Sequence, residues 1–101
     1  MEIKVNKVFL ALTTDGEPLL CVADKIKDNV AYCTVQNGLW EIGFDMTTLE
    51  MCREGTHRFV LQHFDNGYRA KVVLTDLPSG RLADYNERIA DALKILEQQK
   101  Q

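Results

Sequence analysis

The amino-acid sequence predicts an α+β fold: a six-stranded antiparallel meander, curled or closed into a partly open barrel, with a long C-terminal helix packed on one face. Turn-forming dipeptides are the first observation, with Asp-Gly at 15–16 and Asn-Gly at 37–38 and 66–67. Such pairs favour the two-residue turns that join antiparallel strands. The helical periodicity of residues 81–98 is the second. A short helix between the fourth and fifth strands completes the prediction, which treats residues 1–101 as one domain with a frayed C-terminal end.

The first hairpin is predicted over residues 3–13 and 18–26. Its strands carry apolar side chains at consecutive positions, such as Phe9 and Leu10 and then Leu20. Because successive side chains of a strand point to opposite faces, both faces of this hairpin are apolar. The pattern indicates either a hairpin that is covered on both sides within the fold or one that is buried in a homodimer.

The second hairpin has the clearest alternation of apolar and polar residues. Counting outward from the turn at 37–38 places Cys33 opposite Ile42 on an apolar face. The same register places Tyr32 opposite Gly43 on the other face, where an aromatic ring can cover the missing side chain. One face of this hairpin is therefore expected in the core.

A short helix is predicted over residues 48–54. Thr47 followed three residues later by Glu50 fits a capping box. Gly55 then supplies a residue that commonly ends a helix. This helix would carry the chain from the second hairpin to the third.

The third hairpin is predicted to turn at 66–67, with strands over about 58–65 and 68–75. Their alternation leaves apolar side chains among charged ones on the face that is turned away from the core. These outward apolar residues are Val60, Phe64 and Val73.

The C-terminal helix is predicted to start after Ser79 as N-cap and to run over residues 81–98. Asp84 and Arg88 would form an i,i+4 ion pair on its solvent side. Its apolar stripe, which is expected to cover the sheet, consists of Leu82, Tyr85, Ile89, Ala92, Leu93 and Leu96.

Composition narrows the classes of function. The chain has 101 residues, 46% of them hydrophobic, which suffices for one core. A net formal charge of −3 argues against a nucleic-acid partner. No apolar run approaches the roughly 18 residues that cross a membrane, and no targeting segment is visible. We therefore expect a cytoplasmic protein without a membrane partner.

The cysteines and histidines do not form a catalytic or metal-binding pattern. Cys21, Cys33 and Cys52 are an odd number without the close pairs of a zinc site, so we expect neither a metal nor another cofactor. They are interpreted as buried apolar residues in a reducing compartment, although Cys21 and Cys33 could pair if they lie opposite each other. Cys52 with His57 is a weak catalytic candidate. Cys52 falls in the last turn of the predicted short helix, and the negative C-terminal end of a helix disfavours a thiolate. The sequence thus predicts no enzyme.

The leading hypothesis for function is a small non-enzymatic protein that binds a protein partner. Its role could be that of an inhibitor, an immunity protein, a phage antidefence protein or a chaperone-like dimer. Residues 41–54 carry four carboxylates against one arginine, which predicts an acidic patch for a basic partner beside an exposed sheet face. The predicted binding residues are Tyr32, Glu41, Asp45, Glu50, Glu54, Val60, Phe64 and Val73.

A small-molecule-binding barrel is the alternative. Its lumen would lie between the curled sheet and the C-terminal helix, lined by Trp40, Phe44, Phe59, Tyr85 and the cysteines. An ordinary core that is filled by side chains would account for the same residues.

Overall fold

The computed structural model describes residues 1–38, 40–78 and 84–99. Within these ranges, the strands are β1 (Val8–Thr13), β2 (Pro18–Lys27), β3 (Val30–Val35), β4 (Glu41–Asp45), β5 (Met51–Cys52) and β6 (Ala70–Leu77). The helices are α1 (Arg58–Asp65) and α2 (Tyr85–Gln99).

The six strands form one antiparallel sheet in the order β5-β4-β3-β2-β1-β6. The first five strands are a meander, and β6 returns across the molecule to pair with β1. The sheet curls until its two edges meet: the Val72 N–H donates to the Leu49 carbonyl oxygen at 2.9 Å, and Glu50 bridges to Lys71. The predicted fold class, a curled six-stranded antiparallel sheet with a C-terminal helix, is confirmed.

The interior of the curled sheet is filled by side chains. Phe9 and Phe44 pack edge to face at its centre, with ring centroids 5.4 Å apart. Small residues surround the two rings and let the strands approach closely. These buried small residues are Ala11, Cys21, Ala23, Ala31, Cys33 and Ala70.

Helix α2 packs on the outer face of the sheet, over β1, β2 and β6. Leu10 and Leu20 point outward and are buried beneath it together with Ala92 of the helix. The first hairpin is therefore covered on both faces within one chain, which explains its two-sided hydrophobicity. A small pocket of about 30 Å³ lies between α2 and the sheet.

The start of α2 differs from the prediction. Asp84 Oδ1 accepts the Glu87 N–H at 2.8 Å and so caps the helix instead of pairing with Arg88. The Arg88 guanidinium donates to Gln36 Oε1 at 2.7 Å and ties the helix to the end of β3. The predicted cap at Ser79 and residues 81–83 of the predicted helix lie outside the described residues. Leu93, which the spacing assigned to the apolar stripe, is exposed.

The first two hairpins form as predicted, although β1 begins at Val8 and not at residue 3. Cys33 pairs with Ile42, and Tyr32 pairs with Gly43. The Asp-Gly and Asn-Gly pairs identified both turns, and in the second hairpin the alternation of apolar and polar residues also fixed the register.

The missing side chain of Gly43 is covered by backbone, not by the Tyr32 ring. A Cβ atom added to Gly43 would lie 1.7 Å from the Glu54 carbonyl oxygen. The segment after β5 therefore crosses directly over Gly43, and the Tyr32 ring packs against Gly55. Only glycine permits this close approach.

The predicted short helix is approximately matched by α1, but its span is wrong, because residues 48–54 contain a turn and then strand β5. Asp45 Oδ1 accepts the N–H groups of Thr47 and Thr48 at 2.8 and 2.9 Å and closes the turn. Leu49 has φ 61°, a left-handed conformation that a right-handed helix cannot contain. The short helix occurs later in the chain, as α1 after β5.

The predicted third hairpin is also wrong, because 58–65 is helix α1. Val60 and Phe64 have the i,i+4 spacing of a helix face as well as the period of a strand, so their pattern was ambiguous. The preceding residue decides between them: His57 Nδ1 accepts the Phe59 N–H at 3.2 Å and caps the helix.

The Asn-Gly pair at 66–67 ends α1 instead of turning a hairpin. Gly67 has φ 99°, and its N–H donates to the Phe64 carbonyl oxygen at 3.0 Å. The Tyr68 N–H donates to the His63 carbonyl oxygen at 2.9 Å. Both bonds together form a Schellman motif, which uses the same left-handed glycine that a hairpin turn uses.

The close approach at Gly43 predicts the effect of a substitution. Gly43→Ala should lower the free energy of unfolding by about 2–3 kcal/mol, because the new methyl group would displace the Glu54 backbone. Gly38→Ala is the matched control: Gly38 has φ 80°, but no atom lies within 4 Å of an added Cβ. It should cost about 1 kcal/mol of backbone strain. Chemical denaturation measures both values, and an equal cost for the two variants would contradict the packing.

Candidate functional site

An open cleft of about 380 Å³ lies at one end of the barrel, between α1 and the adjacent ends of β2, β3 and β4. We refer to it as the barrel-end cleft. Its apolar lining comes from Leu19, Val35, Ile42 and Val60. All four residues are buried, so the cleft opens directly onto the core.

Three aromatic side chains form a rim at this end of the barrel: Trp40, His57 and Phe59. The His57 ring lies between the other two, 6.3 Å from the Trp40 ring and 5.1 Å from the Phe59 ring, centroid to centroid. Trp40 is 40% exposed and Phe59 is 49% exposed. Such exposure is unusual for large aromatic side chains, which contribute strongly to cores and interfaces.

The backbone of the aromatic rim is held by hydrogen bonds. The Trp40 carbonyl oxygen accepts the Val35 N–H at 2.9 Å, and the Glu41 carbonyl oxygen accepts the His57 N–H at 3.0 Å. The second bond joins the start of α1 to the start of β4. The rim is thus positioned by the ends of two regular elements.

Polar groups complete the cleft. Glu17, Gln62, His63 and Tyr68 line its sides, and Glu17 is the one carboxylate among the described lining residues. The backbone of Glu17 is fixed, because its N–H donates to Thr13 Oγ1 at 3.0 Å. Burial raises the pKa of the Tyr68 hydroxyl, and the negative charge of Glu17 raises it further. The cleft therefore combines aromatic faces, an apolar floor and a negative charge.

The structure does not bring Val60, Phe64 and Val73 together as an outward face. Val60 is buried at the floor of the barrel-end cleft. Phe64 lies on α1, half-buried beneath Arg69, and Val73 packs against the residues under α2. The prediction of a shared face was wrong, because it assumed a strand where α1 forms.

The predicted acidic residues are distributed along β4 and its neighbours. Glu41 and Asp45 are separated by four residues of strand, which is about 13 Å. Glu50 is exposed at the seam of the barrel, beside Lys71. Asp45 closes the turn, and the N–H groups of Thr48 and Thr47 hold the pKa of its carboxyl below the usual value.

Tyr32 and Glu54 do meet on the outer face. The Tyr32 hydroxyl donates to Glu54 Oε1 at 3.1 Å. Desolvation and this hydrogen bond raise the pKa of Tyr32 above its usual value. Tyr32 also makes a cation–π contact with Lys25, whose Nζ lies 4.7 Å from the ring centroid.

All three cysteines are free thiols. Cys33 pairs with Ala23 and Cys21 with Val35, so Cys21 and Cys33 are not directly opposite each other. Burial, followed by the charge of Asp24, raises the pKa of Cys33 to about 12. Burial also raises the pKa of Cys21 well above its usual value. Both thiols are held in the neutral form, as packed core residues.

Cys52 is half-buried on β5, and its environment disfavours a thiolate. Burial and then the carboxylates of Asp45 and Glu54 raise the pKa of its thiol. The Cys52 thiol donates to the Glu54 carbonyl oxygen at 3.5 Å. His57, the predicted catalytic partner, uses Nδ1 to cap α1.

Among the residues that the structure describes, no three histidine, cysteine or acidic side chains converge in an arrangement that could hold a metal ion. No helix in the described ranges is long and apolar enough to cross a membrane. Comparison of the chain with protein-family models, curated proteins and solved structures finds no match.

Sequence reasoning placed Trp40, Phe44, Phe59 and Tyr85 in a lumen beneath the C-terminal helix. In the structure, Trp40 and Phe59 lie instead at the aromatic rim beside α1, Phe44 is in the filled core and Tyr85 is on α2. Glu17 was missed, because it is distant in the sequence from the predicted acidic residues Glu41, Asp45, Glu50 and Glu54. The capping position of His57 is the local signal that could have located α1.

The cysteine environments predict a pattern of alkylation. At pH 8, iodoacetamide should modify Cys52 first, and Cys21 and Cys33 only after unfolding, because both are buried. The raised pKa of Cys52 should make it react more slowly than a cysteine in a short peptide, and faster as the pH rises. Peptide mass spectrometry measures the three rates. Native-state labelling of Cys21 at the rate of Cys52 would contradict the sealed interior.

Proposed function

We propose that this protein is a non-enzymatic interaction module that binds a protein partner through the barrel-end cleft and its aromatic rim. The observation that carries the proposal is the exposure of Trp40 and Phe59 on the two sides of His57. Tryptophan and other aromatic residues are enriched at the centres of protein interfaces, where a few of them provide most of the binding energy.

The rigidity of the rim supports this function. Its backbone is bonded to β3 and β4, and the His57 side chain is held as a helix cap. A surface that is ordered before binding loses little conformational entropy when the partner arrives. The exposed rings can therefore act as anchors.

The interface should extend beyond the cleft. A stable interface covers about 800 Å² on each partner, which is more than the rim can offer. The adjoining outer face of the sheet carries Glu41, Tyr32 and Glu54, and its carboxylates would favour a basic partner. The predicted acidic surface thus remains part of the proposal, next to the aromatic anchors.

The setting that we propose for this interaction is the cytoplasm, which suits a protein with three free thiols. A homodimer is no longer part of the proposal, because the apolar faces that suggested it are covered within the chain. The identity of the partner would decide between an inhibitor, immunity, antidefence or chaperone-like role.

The aromatic rim predicts which variant loses binding. Immobilised protein should retain a partner from a lysate of its own host, and the double variant Trp40→Ala, Phe59→Ala should retain less than a tenth as much. The partner is then purified, and its Kd for each variant is measured directly. The melting temperature should change little, because both side chains are partly exposed and lie outside the buried core.

The matched control is the double variant Ile26→Ala, Leu93→Ala. These two side chains are also exposed and apolar, but they lie on β2 and α2, away from the cleft. The control should bind the purified partner as the unmodified protein does. Equal affinity of the rim variant and the control variant would refute the rim as the binding surface.

A small molecule is the second candidate occupant. The cleft volume of about 380 Å³ falls in the range of small-molecule sites, roughly 300–1,000 Å³. Native mass spectrometry of protein that is recovered gently from its host distinguishes the two candidates. A bound protein mass supports the interaction module, whereas a small added mass that disappears in Trp40→Ala would support the ligand site.

A further inference from the structure

Three aromatic rings at the surface of this protein make cation–π contacts with basic side chains of the same chain. Lys25 lies over the Tyr32 ring at 4.7 Å from its centroid, and Arg58 lies over the Phe59 ring at 5.2 Å. The Arg69 guanidinium is stacked on the Phe64 ring at 3.6 Å. The electron-rich faces of these rings are thus occupied by basic groups from the same chain.

Trp40 is different. Within residues 1–38, 40–78 and 84–99, no lysine or arginine lies over its ring, and its aromatic contact there is a T-shaped one with His57. Tryptophan attracts cations more strongly than tyrosine or phenylalanine does. Among the described residues, the Trp40 ring is thus a strong cation acceptor without a lysine or arginine over it.

The charges around the barrel-end cleft have the sign that a cation requires. Glu17 lines the cleft, Asp15 is close enough to act on the Tyr68 hydroxyl, and Glu41 follows Trp40 at the rim. In the part of the chain that the structure describes, two arginines stand against these three carboxylates: Arg58, whose guanidinium is placed over Phe59, and Arg88, whose guanidinium donates to Gln36 Oε1. A visiting cation would meet a negative site with an aromatic wall.

We propose that the barrel-end cleft binds an arginine side chain of the protein partner, with the guanidinium against the Trp40 ring and within reach of the Glu17 carboxylate. This inference rests on the proposed function and names the chemistry of the partner. The floor of Leu19, Val35 and Ile42 would receive the methylene groups of the arginine side chain.

The polar lining favours arginine over lysine. A guanidinium presents five N–H donors in a plane, so it can stack on a ring while it donates at its edges. The cleft offers acceptors for such edges in the Glu17 carboxylate and the Gln62 side-chain oxygen. An ammonium group is a compact charge without a face that can stack.

The test uses the single tryptophan as the reporter. The indole N–H resonance of Trp40 in the intact ¹⁵N-labelled protein is followed while short peptides are added. The peptides are acetylated and amidated and differ at one central position, which is arginine, lysine or citrulline, the neutral isostere of arginine. The arginine peptide should shift the Trp40 signal and bind about two- to fivefold more tightly than the citrulline peptide.

A charge variant isolates the role of Glu17. Glu17→Gln should weaken the arginine peptide about two- to fivefold and leave the citrulline peptide unchanged. Glu97→Gln on α2 is the matched control, because Glu97 is exposed and belongs to a helix that does not line the cleft. It should leave both affinities unchanged.

Three outcomes would overturn the inference. One is equal binding of the arginine and citrulline peptides, and another is an equal effect of the Glu17 and Glu97 variants. The third is tighter binding of the lysine peptide, or of tetramethylammonium as a small organic cation, than of the arginine peptide.

The proposed function and the arginine site can be refuted independently of each other. If the purified partner depends on Trp40 and Phe59 but the peptides show no preference for arginine, the interaction module stands and the arginine site is refuted. If the cleft prefers arginine but the rim variant binds the partner normally, the cation site exists and the proposed interaction surface is refuted.

Discussion

Closure of the sheet is the constraint on which the remaining structure depends. Strand β6 pairs with β1 and also meets the segment before β5, through the hydrogen bond from Val72 to Leu49. The chain must therefore pass from β5 at one edge of the sheet to β6 at the other. It does so by way of α1, and this passage places Val60 at the barrel end and Phe59 on its rim. The cleft is a consequence of how the barrel is closed.

Side chains fill the middle of the curled sheet. Phe9 and Phe44 fill the centre, and alanine and cysteine side chains occupy the remaining inward positions. Helix α2 then covers the outer face of β1 and β2, so most of the large apolar side chains are buried on one side of the sheet or the other. Trp40 and Phe59 remain exposed, whereas Phe9 and Phe44 are buried and the tyrosines and Phe64 are partly buried. Their exposure is the feature that the proposed function explains.

The sequence was sufficient to predict an element where its local residue pattern is compatible with only one structure. The second hairpin was predicted with its register, because the alternation of Cys33 and Ile42 with their polar neighbours fits only one pairing. It was insufficient at Asn66-Gly67, because a left-handed glycine serves a hairpin turn and a helix cap equally well. The helix predicted after Thr47 did not form there, because Asp45 accepts the N–H groups of Thr47 and Thr48 and closes a turn instead. Trp40 and Phe59 were predicted for a lumen under the C-terminal helix, and only the tertiary fold brings them together with Glu17 at the cleft.

The central claim is that Trp40 is accessible at a negatively charged barrel end, and collisional quenching of its fluorescence tests this most directly. Trp40 is the single tryptophan, so the signal has one source. The quenching constant of each ion is divided by its value for N-acetyltryptophanamide, which removes the different intrinsic efficiencies of the two ions. At low ionic strength, this ratio should be larger for caesium than for iodide, because Glu17 and Glu41 attract cations to the ring. Neutral acrylamide should also quench well. A buried indole that none of the three reaches, or a larger ratio for iodide than for caesium, would contradict the account.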